Sequence, residues 1–160
     1  METKVTKISY TNEITLISLS LPDGKAVAQV LSAFSEAGIN VDMISQTAPQ
    51  GGAVRMSFSL SDRDLADALT VLGKLRSGDK GLSPEILPGN CKIACYDADM
   101  VHTPGVAAKV FALLSEANVP IMLITTSDVD ISILINAHDL NDALLVMSTA
   151  FHTVPVEEAF

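Results

Sequence analysis

The stretch that decides the fold is AVAQVLSAFSEA at 26–37, because a related stretch, VAAKVFALLSEA, recurs at 106–117. Further along, DAL at 67–69 matches DAL at 142–144, so the spacing between the copies falls from 80 to 75 residues. The difference predicts a longer turn in the first copy, near the proline and glycines of 49–52. A chain with such a repeat is built from two copies of one supersecondary unit.

Each copy has the same predicted order of strands and helices. In the first, Val27, Val30 and Phe34 follow the i, i+3, i+7 spacing of an amphipathic helix, which Gly38 ends. In the first copy we predict strands at 14–21, 39–44, 54–60 and 84–87 and helices at 26–37 and from Ser61 or Asp62 onward. In the second copy we predict strands at 91–96, 119–125, 129–135 and 153–156 and helices at 106–117 and 139–151. The predicted inward positions are Leu65, Ala68, Leu69 and Leu72 on the second helix and Val110, Phe111 and Leu114 on the third.

The order strand, helix, strand, strand, helix, strand is the ferredoxin-like βαββαβ arrangement. The predicted class is therefore α+β, with the unit repeated twice, antiparallel sheets, and both helices on one face of each sheet. We place the first domain at 1–88 and the second at 89–160. Residues 3–10 also have strand character and are a candidate edge strand for the second domain, whose own fourth strand is short.

Charge and hydropathy exclude several classes of partner. The formal net charge is -9, and the ten Lys and Arg residues form no cluster. Nucleic acids and anionic membrane surfaces need clustered cations, so neither is expected as a partner. No apolar run approaches the roughly 20 residues that span a bilayer, and the N-terminus lacks the apolar stretch of a signal peptide. These features predict a cytoplasmic protein.

The residues that usually carry chemistry show no catalytic or metal-binding pattern. Cys91 and Cys95 lie on one predicted strand, too far apart to form a disulfide, and are expected to be buried thiols. The three histidines, His102, His138 and His152, have no metal-ligand spacing. We expect Asp97 and Asp99 to lie at a solvated strand end. The sequence thus predicts no enzyme, no metal and no cofactor.

Several stretches resemble the paired ACT domains at the regulatory end of aspartate kinases. In the first copy these are LPD at 21–23 and EAGINVDMI at 36–44, with Gln46 close behind. In the second copy they are HTPGVAAKVF at 102–111 and ITTSDVDIS at 124–132. The chain departs from the family where Gly24-Lys25 replaces a Pro-Gly turn and where Pro120 removes a backbone donor. The 160 residues contain no Gly-rich phosphate loop and no kinase domain.

The resemblance implies a regulatory protein that senses a small amino acid or a related metabolite. It further implies an amino-acid biosynthetic enzyme as the regulated partner. Exposed sheet edges favour a homodimer. Two alternatives stay open: a non-catalytic regulatory subunit of an aspartate kinase, and a dimerisation module that binds no ligand.

An amino-acid site needs backbone N–H groups or a helix N-terminus for the carboxylate, and oxygen atoms for the ammonium. The loops that enter the first helix of each copy offer such N–H groups. Candidate ligand residues in these loops are Asp23, Lys25, Ala26, Thr103, Gly105 and Val106. Candidates near the second strands are Asn40, Val41, Asp42, Val119, Pro120, Ile121 and Thr126. The resemblance implies that Asp23, Asn40, Asp42 and Gln46 make the polar contacts of the first copy, between ACT domains.

Overall fold

A computed structural model describes residues 3–160, and the backbone forms two compact units. The first-repeat unit is Glu13–Gly89, and the second-repeat unit joins the residues up to Asn12 with Asn90–Phe160. The predicted domains were 1–88 and 89–160. The observed grouping differs from them mainly because the residues before Glu13 belong to the second-repeat unit. The elements are β1 (Lys7–Leu21), α1 (Gly24–Glu36), β2 (Asp42–Gln46), β3 (Val54–Ser61), α2 (Leu65–Gly78), β4 (Glu85–Tyr96), α3 (Val106–Glu116), β5 (Leu123–Thr126), β6 (Asp130–Asn136), α4 (Leu140–Phe151) and β7 (Val156–Glu157).

In the first-repeat unit the central strand β3 lies between β1 and β2. It pairs antiparallel with β1 from Ile14↔Ser61 to Leu21↔Val54, and antiparallel with β2, where a bulge interrupts the register. Alternate strand residues, such as Ile17 and Phe58, share one buried cluster with residues of α1 and α2. Both helices therefore cover the same face of the sheet, as the ferredoxin-like prediction requires.

The second-repeat unit has the same architecture. Strand β6 pairs antiparallel with β4 and β5, and one buried cluster joins Ile93 of β4 to Val110 of α3 and Met147 of α4. The N-terminal part of the chain belongs to this unit, since the Thr6 N–H donates to the Tyr96 carbonyl at 2.9 Å. Strand β7 pairs with β1 in parallel through Ser9↔Val156 and Tyr10↔Glu157. The predicted repeat of a ferredoxin-like fold is confirmed.

The predicted starts of β2 and β5 were wrong by three to four residues, for the same reason in both repeats. Each helix ends in a Schellman motif: the Ile39 N–H donates to Phe34 O at 3.0 Å, and the Val119 N–H donates to Leu114 O at 2.9 Å. The residues before them, Gly38 and Asn118, have φ of 73° and 56°. Ile39 and Val119 are thus buried beneath the helix ends and precede the strands.

Two predicted core residues face solvent. Leu69 on α2 is 48% exposed and Phe111 on α3 is 43% exposed, whereas Val71 and Val106 are buried instead. On each helix the observed buried face is offset from the predicted one by part of a turn. Side-chain volume alone does not determine which edge of the apolar face packs against the sheet. Among residues 3–160, every helix is too short or too polar to cross a bilayer.

Candidate functional site

The entry to α3 in the second-repeat unit begins where β4 ends. A 3₁₀ turn over Met100–His102 follows β4, and the Thr103 hydroxyl donates to the Asp99 carbonyl at 3.0 Å. Gly105 then adopts φ 100°, a left-handed conformation that favours glycine, and α3 starts at the next residue. Gly105 has no side chain to cap the helix, and within residues 3–160 no side-chain cap bond is made at the start of α3.

This entry forms one wall of a cavity of about 330 Å³. The opposite wall is the turn between β5 and β6, which is closed by the Ser127 N–H donating to Asp130 O at 2.8 Å. The cavity is lined by Met100, Val101, Thr103, Gly105, Val106, Ala107, Thr126, Ser127, Asp128 and Ile131. Its volume lies at the small end of the usual range for ligand sites, roughly 300–1,000 Å³.

Asp97 forms hydrogen bonds with both walls of this cavity. Its backbone N–H donates to Val129 O at 3.0 Å, beside the β5–β6 turn, and its carbonyl accepts from the Met100 N–H at 3.1 Å. Its Oδ1 accepts from the Asp99 N–H at 2.8 Å. Asp97 is only 4% exposed, so the prediction of a solvated strand end was wrong for this residue, although Asp99 is exposed. Among the described residues, Asp97 Oδ2 is buried with no hydrogen-bond partner.

The charged group on the cavity wall is negative. Of the described residues that line it, Asp128 is the charged one, and none is a lysine, arginine or histidine. Met100, Val101 and Ile131 supply apolar surface, while Thr126 and Ser127 supply hydroxyls. The cavity therefore offers a carboxylate for a cation and backbone N–H groups for an anion, within one small volume.

The entry to α1 in the first-repeat unit differs at one decisive position. Asp23 caps the helix, and its Oδ1 accepts from the Ala26 N–H at 2.8 Å. One of the N–H groups that a ligand carboxylate needs is thus occupied by the protein's own carboxylate. Lys25 is exposed and Ala26 is half-buried at this same entry.

The other first-repeat candidates lie at two ends of the unit. Gln46 shares a sheet row with Met56 and Leu19, near the end of β1 from which Asp23 follows. Asp42 pairs with Ser59, five residues along β3 from the row of Leu21, or about 17 Å. Asn40 and Val41 precede Asp42 and lie at the same end. One unit therefore does not bring the candidate polar residues of the first repeat together.

The structure divides the second-repeat candidates in the same way. Thr103, Gly105, Val106 and Thr126 line the cavity. Val119 lies in the hydrophobic core at the far end of α3, and Pro120 and Ile121 follow it. Four lining residues were not predicted: Met100 and Val101 at the α3 entry, and Ser127 and Asp128 in the β5–β6 turn. The turn and the entry come together only in the folded unit. Within the described residues, no group of three His, Cys, Asp or Glu side chains is placed to hold a metal ion.

Comparisons with known proteins agree with this architecture. The ACT domain family matches residues 15–77 and again residues 93–151. The chain is similar to the aspartokinase of Geobacillus stearothermophilus, at 32% identity over 79% of this chain and 30% of that protein. It spans about a third of the length of the curated relatives it matches.

Two solved structures are similar over nearly their whole length. One is the ligand-free regulatory subunit of aspartate kinase from Thermus thermophilus, with 30% identity, a TM-score of 0.84, and coverage of 92% of this chain and 98% of that chain. The other is a chain from a structure of aspartokinase alpha and beta subunits, with 32% identity, a TM-score of 0.83, and coverage of 92% and 99%. The chain therefore belongs to the ACT domain family, as a tandem pair of the aspartate kinase regulatory type with an amino-acid-sensing, allosteric role.

Proposed function

We propose that this chain is a non-catalytic sensor that binds a free amino acid in the cavity of the second-repeat unit. The observation that carries the proposal is that the cavity joins four residues predicted to bind ligand, Thr103, Gly105, Val106 and Thr126, with the carboxylate of Asp128. The bound state would be passed to an amino-acid biosynthetic enzyme in the cytoplasm, with aspartate kinase as the favoured partner.

The cavity matches the two charges of an amino acid. The first turn of α3, which has no side-chain cap among the residues that the structure describes, suits the ligand carboxylate, because its N–H groups and the helix dipole both favour an anion. Asp128 suits the ammonium group. The ligand side chain then faces Met100, Val101 and Ile131. Among residues 3–160 no cation lines the cavity, and the carboxylate of Asp128 is used by the ammonium, so an uncharged side chain fits best.

The first-repeat unit supports a second candidate site, which needs two copies of the chain. Asp23, Lys25, Ala26 and Gln46 lie at one end of the unit, and Asn40, Val41 and Asp42 lie at the other. A site that uses both groups must take one from each of two ACT units. The capping of α1 by Asp23 makes this entry the weaker acceptor of a carboxylate.

The identity of the regulated enzyme rests on similarity. The solved aspartokinase structure of alpha and beta subunits contains a chain that aligns with almost all of this one. We therefore propose that this chain acts on an aspartate kinase, either as its separate regulatory subunit or through ligand-dependent docking. A dimerisation module without ligand is the alternative.

Binding is tested with the twenty amino acids by thermal shift and titration calorimetry. A ligand present at 100 times its Kd adds about 2.7 kcal/mol to the free energy of unfolding, which raises the Tm by several degrees. For that ligand, Asp128→Asn is expected to weaken binding tenfold or more, because a hydrogen bond to a charged group is worth about 1.5–3 kcal/mol.

Asp23→Asn is the matched control, since asparagine caps a helix as well as aspartate does. Unchanged affinity in Asp23→Asn together with loss in Asp128→Asn supports the second-repeat cavity. The reverse pattern moves the site to the first repeat. If none of the twenty amino acids binds, the sensor proposal is wrong and the ligand-free module takes its place.

We also propose a homodimer and predict that light scattering at micromolar concentration gives twice the chain mass of 16.9 kDa. The favoured interface is β2, an edge strand that leaves Ile44 nearly half exposed. Ile44→Asp is expected to give monomers, whereas Leu145→Asp on the exposed side of α4 should leave the dimer intact. A monomeric native protein contradicts the proposal.

A further inference from the structure

The strand that precedes the first helix of each repeat ends with a different residue type in the two copies. At the end of β1, Leu21 pairs with Val54 of β3. At the end of β4, the Asp97 N–H donates to the carbonyl of Val129 at 3.0 Å, and Val129 matches Val54 at the 75-residue spacing of the repeat. Asp97 therefore occupies in the second repeat the place that Leu21 occupies in the first.

Both positions are buried, although only leucine is an ordinary core residue. Leu21 is 3% exposed and belongs to the hydrophobic cluster of the first-repeat unit. Because strand side chains alternate, Asp97 lies on the same face as the buried Cys95, two residues earlier. Cys95 pairs with Ile131, which lines the cavity, so Asp97 lies in the adjoining row of that face. The fold accepts leucine at this point, and burial of a carboxylate there costs free energy.

The second repeat also has a longer connection from this strand to its helix. The copies are 76 residues apart at Leu21 and Asp97 but 80 apart in the helices that follow, so the second repeat has four extra residues between strand and helix. This connection contains the 3₁₀ turn over Met100–His102, part of which lines the cavity. The Asp97 carboxylate fixes its start, because Oδ1 accepts from the Asp99 N–H at 2.8 Å. The buried carboxylate thus accompanies the segment that builds one cavity wall.

We propose that Asp97 is a positioning residue of the second-repeat cavity. Its carboxylate holds the longer connection through the Asp99 N–H, and its backbone holds the β5–β6 turn through Val129, so the two walls keep the spacing that a ligand needs. Within residues 3–160 its Oδ2 is buried without a hydrogen-bond partner, which is a cost in stability typical of a functional site. The inference rests on the proposed function for the role of the cavity, but the hold on the wall can be measured without a ligand.

Amide hydrogen exchange, measured by NMR on the full chain without any amino acid, tests the positioning. Asp97→Leu copies the first repeat. It is expected to speed exchange about tenfold or more at the Met100 and Thr103 N–H groups, which lie beyond the bond that is removed. Exchange at Lys109 within α3 should stay native, because the change is local. The Tm should match or exceed that of the native chain, since leucine replaces a buried carboxylate.

Three further variants separate the carboxylate's bond from its charge and volume. Asp97→Asn keeps an oxygen that accepts from the Asp99 N–H, so native exchange is expected. Asp99→Asn removes an exposed carboxylate from the same connection and should also leave exchange unchanged. Asp97→Ala removes the acceptor without adding volume, and it should reproduce the faster exchange of Asp97→Leu. Circular dichroism checks that each variant is folded.

The second readout is affinity, measured by calorimetry with the amino acid that most raises the Tm of the native chain. Asp97→Leu and Asp97→Ala are expected to weaken binding about tenfold or more, whereas Asp97→Asn should bind like the native chain. Unchanged affinity in the leucine and alanine variants would overturn the positioning role.

Native exchange at Met100 and Thr103 in both variants would also overturn it, whether or not an amino acid binds. So would unfolding of both, or faster exchange that extends to Lys109 with a lower Tm, because Asp97 would then maintain the whole fold. If none of the twenty amino acids binds, the proposed function is wrong, and the exchange rates alone decide whether Asp97 holds the wall.

Discussion

Replacing Phe34 with alanine is expected to lower the free energy of unfolding by about 3–5 kcal/mol, the cost of removing a large ring from a closed core. The Phe34 side chain is fully buried on α1. It meets the Phe58 ring edge-on, with centroids 5.1 Å apart and planes at 80°, a geometry that adds about 0.5–1.5 kcal/mol to simple burial. Urea unfolding followed by circular dichroism measures the loss.

Phe111→Ala is the matched control, because this phenylalanine lies on the exposed side of α3. Its replacement should change the free energy of unfolding by no more than about 0.5 kcal/mol. Equal losses in the two variants would contradict the assignment of Phe34 to the core. Since the first-repeat unit has its own buried cluster, the Phe34→Ala transition is also expected to lose its single-step form.

Raising the pH above 9 is expected to destabilise the protein through its two thiols. Burial raises the pKa of Cys91 and of Cys95 from 9.0 to about 12, with Asp139 and Asp130 nearby contributing less. Below pH 9 both states hold the proton, so the contribution is constant. Between pH 9 and 12 the unfolded chain loses the proton and the folded chain keeps it. Each thiol then costs about 1.4 kcal/mol per pH unit.

Urea unfolding at several pH values from 8 to 11 gives this slope directly. The double variant Cys91→Ala/Cys95→Ala is expected to lose the thiol part of the slope, and each single variant about half of it. The comparison between variants cancels the titration of lysine and tyrosine side chains. If the double variant keeps the native slope, the two thiols do not remain protonated in the folded state.

The repeat made most of the fold predictable, and the errors have local causes. Ile39 and Val119 were predicted to be strand residues because they are β-branched and apolar. In the structure they are buried where their N–H groups bond to the last turn of the preceding helix. The sequence predicted separate strand segments, at 3–10 and 14–21 and again at 84–87 and 91–96, with gaps at Glu13 and at Gly89. The strands nevertheless continue through both points, which only the surrounding sheet can determine.

The candidate site was less predictable than the fold. Local signals identified the α3 entry, since Pro104 and Gly105 mark the start of a helix. Asp128 belongs to a turn more than twenty residues away, and only the pairing of β4 with β6 brings that turn to the entry. Asp97 was predicted to be a surface carboxylate because buried carboxylates are rare. Its hydrogen bond to Val129 O joins residues 32 apart in sequence, so only the folded unit reveals it.

The place of the N-terminal strand also fixes an order of assembly during synthesis. The first-repeat unit is one contiguous segment and has all of its residues once Gly89 has left the ribosome. The second-repeat unit needs bonds between the two ends of the chain, such as the Thr153 hydroxyl to Val5 O at 2.8 Å. At about 5–20 residues per second, Val5 waits roughly 7 to 30 seconds for that partner. Until Tyr96 is made, Thr6 lacks its backbone partner, and the last residues made then close the second unit.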